Sequence, residues 1–125
     1  MTKEQALYAF WSSFALPAYE ESAVPTGDDA PDFPYITYQA NTSSFGDEVE
    51  LVASLWYLSP SWTEANAKKD EISRKIGAGG INLLTDNGAV WLKRGNPFAQ
   101  PMGDPSDNMI RRIALNLTAE FWTAD

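Results

Sequence analysis

The sequence predicts an α+β fold, an antiparallel sheet packed with two helices in the order α-β-β-α-β-β-β, and three observations predict it. Residues 48–58 and 110–122 alternate apolar and polar positions with the period of a strand. Leu7, Phe10, Trp11 and Phe14 recur at helical spacing, and Asp86-Asn87-Gly88 supplies a tight turn between two short apolar runs. With 125 residues, 44% hydrophobic and 13% aromatic, the chain reads as one domain, 1–125, with enough apolar mass for a core and no room for a second.

Thr2 and Gln5 have the spacing of a capping box, so the first helix starts there and ends before Pro17. Four prolines in the eighteen residues from Pro17 to Pro34, together with Gly, Ser and acids, predict an acidic Pro-rich loop, 17–34, without regular structure. Tyr35 to Ala40 alternates, with Ile36, Tyr38 and Ala40 on one face. The strand from Glu48 to Leu58 puts Val49, Leu51, Ala53, Leu55 and Tyr57 on one side and Glu48, Glu50, Ser54 and Trp56 on the other. The short link from Asn41 to Asp47 favours an antiparallel hairpin between them.

Ser61-Trp62-Thr63-Glu64 reads as a second capping box behind Pro60, and Gly77 closes that helix. Its apolar stripe of Trp62, Ala65, Ile72 and Ile76 is thin, while Lys68, Lys69, Asp70, Glu71, Arg74 and Lys75 cover the rest, so one face should lie in water. The glycines of Gly77-Ala78-Gly79-Gly80 follow a helix and enter the strand Ile81-Asn82-Leu83-Leu84, the reverse of a phosphate loop, and no Lys followed by Ser or Thr accompanies them. A helix cap and turn is the reading.

Asn87-Gly88 tolerates the positive φ angles of a type I′ turn, with Ala89 to Arg94 as the return strand. Gly95 to Asn108, with three prolines, predicts a long irregular loop, 95–108, of the length that usually serves a function. The final strand, Ile110 to Trp122, turns Ile113, Leu115, Leu117, Ala119 and Phe121 inward and Arg112, Asn116, Thr118 and Glu120 outward.

Function classes narrow quickly. The chain has no cysteine and no histidine, which excludes disulfides, thiolate zinc sites, cysteine nucleophiles and every site that depends on imidazole. No catalytic residue, cofactor or metal is expected, and an enzyme is the least favoured class. No segment reaches the length of a membrane span and the N-terminus lacks a signal pattern, so the chain reads as soluble and unprocessed. Without a signal segment, the glycosylation patterns Asn41-Thr42-Ser43 and Asn116-Leu117-Thr118 carry no meaning.

The net charge of −8 opposes nonspecific wrapping of nucleic acid. The charge is also uneven: most acids precede Ile72, whereas Arg74-Lys75, Lys93-Arg94 and Arg111-Arg112 follow it. Two readings stand, a solvated surface or head-to-tail complementarity between identical subunits. Asp28, Asp29 and Asp32 offer oxygens but lack the spacing and glycine of a calcium loop, and Asp104-Pro105-Ser106-Asp107 is turn and capping composition. Trp56 and Trp91 fall opposite the best aliphatic stripe, so at least one should meet a helix, a second sheet or a neighbouring subunit. Lys93, Arg94, Arg111 and Arg112 flank the 95–108 loop, which carries Phe98, as a candidate basic rim, with Arg111 and Arg112 on opposite strand faces.

Several segments then carry a resemblance in their order along nearly the whole chain. They are Leu16-Pro17-Ala18-Tyr19-Glu20-Glu21, Pro34-Tyr35-Ile36-Thr37-Tyr38, Leu55-Trp56-Tyr57 with Ser61-Trp62-Thr63, Pro97-Phe98-Ala99-Gln100, and Asp104-Pro105 with Ile110-Arg111-Arg112-Ile113. In these the chain resembles the tail terminator, or tail completion, proteins of tailed bacteriophages. The resemblance implies an α+β subunit of a six-fold ring in the virion tail or neck, assembled in the host cytoplasm. That ring would cap the tail tube, meet a head connector or stopper protein, and let genome DNA pass without sequence-specific binding. No catalytic residue carries over. The alternatives are another neck or tube component, a stopper or tail tube subunit, and a monomeric acidic adaptor that binds a basic partner.

Overall fold

Thr2 opens helix α1 (Lys3–Ser12): its hydroxyl accepts from the Gln5 N–H, and the Gln5 side chain accepts from the Thr2 N–H, closing the capping box that the spacing predicts. In this computed structural model, which describes residues 1–104 and 106–124, Leu7, Phe10, Trp11 and Phe14 are buried. The share of the Asp104 to Asp107 turn that falls on Pro105 lies outside the described residues. Phe10 meets Trp11 and Phe14 edge-on at 4.9 and 5.2 Å, the arrangement that ring quadrupoles favour. Ala15, at φ 63°, turns the chain out of the helix. Helix α2 (Thr63–Ile76) supplies the cations that α1 lacks in its last turn: Lys68 Nζ donates to the Phe14 carbonyl at 2.7 Å and Lys75 Nζ to Ser13 Oγ at 2.6 Å.

The strands are β1 (Ala18–Glu20), β2 (Tyr35–Tyr38), β3 (Glu48–Leu58), β4 (Ile81–Thr85), β5 (Gly88–Gly103) and β6 (Ile110–Trp122). They form one six-stranded sheet in the order β1-β2-β3-β6-β5-β4. Both helices lie on one face. Their buried residues join Ile36, Leu55, Leu92, Leu115 and Phe121 in one hydrophobic cluster. The alternate positions of the strands point the other way and carry no helix. The fold is α+β, and the inward faces that alternation predicts for β3 and β6 meet across an antiparallel pairing, Leu51 against Leu117 and Leu55 against Ile113.

Several expectations need correction. The 17–34 loop contains β1 and two short 3₁₀ turns, Glu21–Ala23 and Gly27–Asp29. β1 pairs parallel with β2, so the sheet is mixed and not wholly antiparallel. Ala18 is buried beneath the core, and the Ile36 N–H donates to the Pro17 carbonyl at 2.9 Å, so three residues satisfy the open edge of β2 despite the prolines around them. β2 itself ends at Tyr38 and not at Ala40.

The irregular loop predicted over 95–108 is mostly strand. β5 continues to Gly103, with Gly95 to Phe98 bulged out opposite Asn116 between the Arg94–Leu117 and Ala99–Leu115 pairs. Pro97 sits in the bulge. Pro101 is in the ladder opposite Ile113, where β4 has already ended and β5 is an edge that tolerates a proline.

The β4–β5 turn uses Asp86 and Asn87, and neither takes a positive φ, so it is not the type I′ turn expected. Gly88 is instead the first residue of β5. A Cβ placed there would lie 2.0 Å from the Trp122 carbonyl oxygen. The second capping box is also absent: Trp62 is the N-cap without a side-chain bond, and Ser61 Oγ accepts from the Thr63 N–H at 3.1 Å as a local turn. Gly77 closes α2 at φ 77°, as predicted. No helix among the described residues is long and apolar enough to cross a membrane.

Candidate interaction surface

The helix-free face of the sheet carries two aromatic rows separated by a charged waist. Strand alternation builds the first row, because Tyr35, Trp56, Arg112 and Met102 are register partners across β2, β3, β6 and β5. Tyr35 stacks on Trp56 at 6.1 Å and 14° between planes, and Tyr19 meets Tyr35 edge-on at 6.3 Å. Trp56 Nε1 donates to Thr37 Oγ1 at 2.9 Å. Arg112 lies over the other side of Trp56 and donates from Nε to Ser54 Oγ at 3.1 Å, so the guanidinium is held flat against the sheet.

At the opposite end, Leu84, Ala89 and Trp122 are register partners on β4, β5 and β6, and Phe45 packs edge-on to Trp122 at 5.6 Å. Leu84, Phe45 and Trp122 are exposed at 76%, 62% and 49%, an apolar patch that this chain alone leaves in water. Gly46 lets the chain pass beneath Trp122: it has φ 80°, and a Cβ there would stand 3.1 Å from the indole. Between the rows, Lys93 bridges Glu48 at 3.0 Å and Glu120 at 3.3 Å. The hydrogen bond to Glu48, and then that to Glu120, raise the Lys93 ammonium above its ordinary range against the effect of burial. Lys93 also lies over the Trp91 ring at 4.4 Å, and Trp91 Nε1 donates to the Gly79 carbonyl at 3.0 Å.

The residues singled out from the sequence divide between surfaces. Lys93 and Arg112 are both on the open face but apart, Lys93 in the waist opposite Thr118 and Arg112 in the first row. Arg94 points to the helix side, donating to Ser73 Oγ at 2.7 Å, as does Arg111, whose guanidinium donates to the Pro60 carbonyl at 3.0 Å and sits 5.3 Å from the Trp62 ring. The basic rim expected from these four does not form. Because β5 continues as strand, Arg94 pairs with Leu117 and Gly103 with Arg111, six steps along β6 or about 20 Å apart. Phe98 is partly buried against the core, so its ring is engaged within the chain.

Trp56 and Trp91 both lie on the open face, and no helix or second sheet covers either. Asp28 and Asp29 are exposed in the 3₁₀ turn Gly27–Asp29, and Asp32 is exposed farther along the arm. No group of three acidic side chains that could hold a metal occurs among the described residues. The exposed patch of Phe45, Leu84 and Trp122 was missed by sequence reasoning. Its signal was present, since Leu84 follows inward Leu83 and Trp122 follows inward Phe121 in a period of two.

Chemically, this face suits adhesion. It presents flat aromatic surface, one stacked guanidinium and a pinned ion triplet. A hollow of about 180 Å³ over the β5 bulge is lined by Glu50, Val52, Asn96 and Asn116. No family model matches the chain, and no curated protein matches it. Among solved structures, a chain in the virion of a native gene transfer agent particle matches with a TM-score of 0.54 and 21% identity, over 90% of this chain and 81% of that one. At that identity the likeness is one of fold.

Proposed function

We infer that this chain is a structural protein of a virion: a tail terminator, or tail completion, subunit. In this reading, copies form a six-fold ring at the head-proximal end of the tail tube, stop its growth and join the tail to the head connector or stopper. The observation that carries the reading is the fold likeness to a virion chain over 90% of the sequence, which agrees with the ordered segments that resemble the terminator family. The open face supports it. Exposed Leu84, Phe45 and Trp122 beside a ladder of Tyr35, Trp56 and Arg112 give a subunit the apolar and aromatic area that interfaces use.

The net charge of −8 suits a ring through which DNA slides without sticking, and nothing in the reading requires catalysis. Neutralising Asp28, Asp29 and Asp32 should impair DNA passage or assembly if the arm faces the channel or a partner; unchanged infectivity would remove that part.

Negative-stain electron microscopy of the purified protein, alone and mixed with tail tubes, tests the whole. Closed rings capping one tube end are expected. Monomers that leave the tubes bare would shift the reading to an adaptor or stopper, and growth into long tubes would make the chain a tube subunit.

A further inference from the structure

A groove on the helix side of the molecule is separate from the open face. It runs between the arm at Pro31 to Pro34 and the N-terminal half of α2, opens to about 520 Å³ beside Asp32 and Leu58, and continues past Glu64 to Lys68 and Glu71. Tyr57 lines it from end to end. This side chain is only 6% exposed, yet its hydroxyl has no hydrogen-bond partner among the described residues. Burial, and after it the carboxylates of Glu64 and Glu71, push its ionisation above 10.0, so negative potential from the α2 wall reaches the phenol.

The neutral phenol keeps lone pairs to offer a donor. Lys68, the cation in the groove, is already committed to the Phe14 carbonyl and to Glu71. Pro34 and exposed Leu58 present apolar surface beside the acids. The chemistry matches a long-stemmed cation: methylenes on Pro34 and Leu58, a guanidinium between Asp32 and Glu64, and the Tyr57 oxygen accepting.

The same chain carries such cations at the far end of α2. Arg94 reaches Ser73 there, Arg74 is the next helical residue and is exposed, and neither arginine has an ion-pair partner among the described residues. Ten residues of helix, about 15 Å, separate Arg74 from Glu64 at the wide part of the groove, so within one molecule Arg74 lies near Glu71 at the groove's far end and not beside Asp32 and Glu64.

We propose that this groove receives a second copy of the chain, whose Arg74 and Arg94 enter it, so that copies join head to tail through opposite ends of α2. The two patches differ, which makes the contact heterologous and allows it to close into a ring. The proposal rests on the ring reading above and supplies its contact.

Sedimentation velocity on four samples tests it: the native chain, the variant Asp32→Arg/Glu64→Arg, the variant Arg74→Glu/Arg94→Glu, and the two variants mixed. The native chain should self-associate, and each variant alone should bind itself at least about tenfold more weakly, because like charges then face each other. The mixture should recover assembly, since every contact again pairs opposite charges. Recovery also shows that both variants are folded. Native-like assembly by either variant, no recovery on mixing, or a native chain that stays monomeric would overturn the contact. Adding tail tubes separates the two readings: variant rings that still cap tubes sink the contact and leave the terminator role, whereas charge-sensitive rings that ignore tubes sink the role and leave the contact.

Discussion

Arg112 and Trp56 sit directly opposite each other on β6 and β3, and the guanidinium of one lies 4.7 Å from the ring centroid of the other. The pair is a cross-strand contact that also covers a hydroxyl, because Ser54 beneath it is 3% exposed and accepts from Arg112 Nε.

Removing the guanidinium uncovers both partners. Arg112→Ala should cost about 1–3 kcal/mol, combining a lost cation–π contact with a buried hydroxyl left without its donor. Urea unfolding followed by tryptophan fluorescence measures it. A loss below about 0.5 kcal/mol, the range of ordinary surface changes, would mean that solvent replaces the contact freely.

Gly88 and Gly103 bracket the same strand and should respond oppositely to a methyl group. A Cβ at Gly88 would stand 2.0 Å from the Trp122 carbonyl, within the ladder to β6, whereas one at Gly103 meets nothing within 4 Å. Gly88→Ala should destabilise by about 1–3 kcal/mol or prevent folding, as overpacking against backbone does. Gly103→Ala should stay within about 0.5 kcal/mol of the native chain. Equal thermal midpoints for the two variants would contradict this account of Gly88.

Lys68 ties the two helices together. Its side chain is 17% exposed, and it holds the Phe14 carbonyl at 2.7 Å and Glu71 at 3.1 Å. Lys68→Met keeps the stem and removes the charge, so it should cost about 1.5–3 kcal/mol, the range for a hydrogen bond to a charged group. Amide exchange provides a local readout, with the last turn of α1 losing protection first.

Stability should decline on the alkaline side. Burial raises the phenols of Tyr35, Tyr38 and Tyr57 above 10.0; Glu20 and Tyr8 add to it at Tyr38, and Glu64 and Glu71 at Tyr57. The folded chain keeps these protons to higher pH than the unfolded chain does. Their stabilising contribution is therefore complete below pH 10.0 and is lost as pH rises through the folded values. Lys93 acts with the same sign above 10.5, since its bonds to Glu48 and Glu120 require the ammonium. Urea midpoints measured from neutral pH upward should fall beyond pH 10, and Tyr57→Phe should flatten the decline. An unchanged slope in that variant would clear Tyr57 of the effect.

Much of this fold was legible because burial follows a simple period. In β6 the five residues expected inward, Ile113, Leu115, Leu117, Ala119 and Phe121, are all buried, and the Thr2–Gln5 cap forms as spaced. β1 escaped notice because it is three residues long among prolines and gains its hydrogen bonds from a parallel neighbour, which leaves no local signature. The second half of β5 escaped because Pro97 and Pro101 read as breakers. They are tolerated only where β4 stops short, a fact of sheet order. The alternation of Arg111 and Arg112 was readable, but whether both helices would cover the same side was not. Alternation already set Trp56 and Trp91 opposite the aliphatic stripe, but that they share one uncovered face with Trp122 emerged only from the tertiary arrangement. The groove at Tyr57 was hidden for the same reason, since Asp32 and Glu64 approach it from separate segments.

The sheet order has a consequence for when the open face is completed. β6 follows the other five strands in sequence, yet it lies between β3 and β5, matching Leu58 with Ile110 and Glu48 with Glu120 across long stretches of chain. Until it emerges from the ribosome, β3 has no partner on that side, the helices have half a sheet to rest on, and the open face has no Arg112 to lie on Trp56. Such distant pairings are slow to form. A growing chain therefore lacks the complete sheet, and with it the native open face, until that strand arrives.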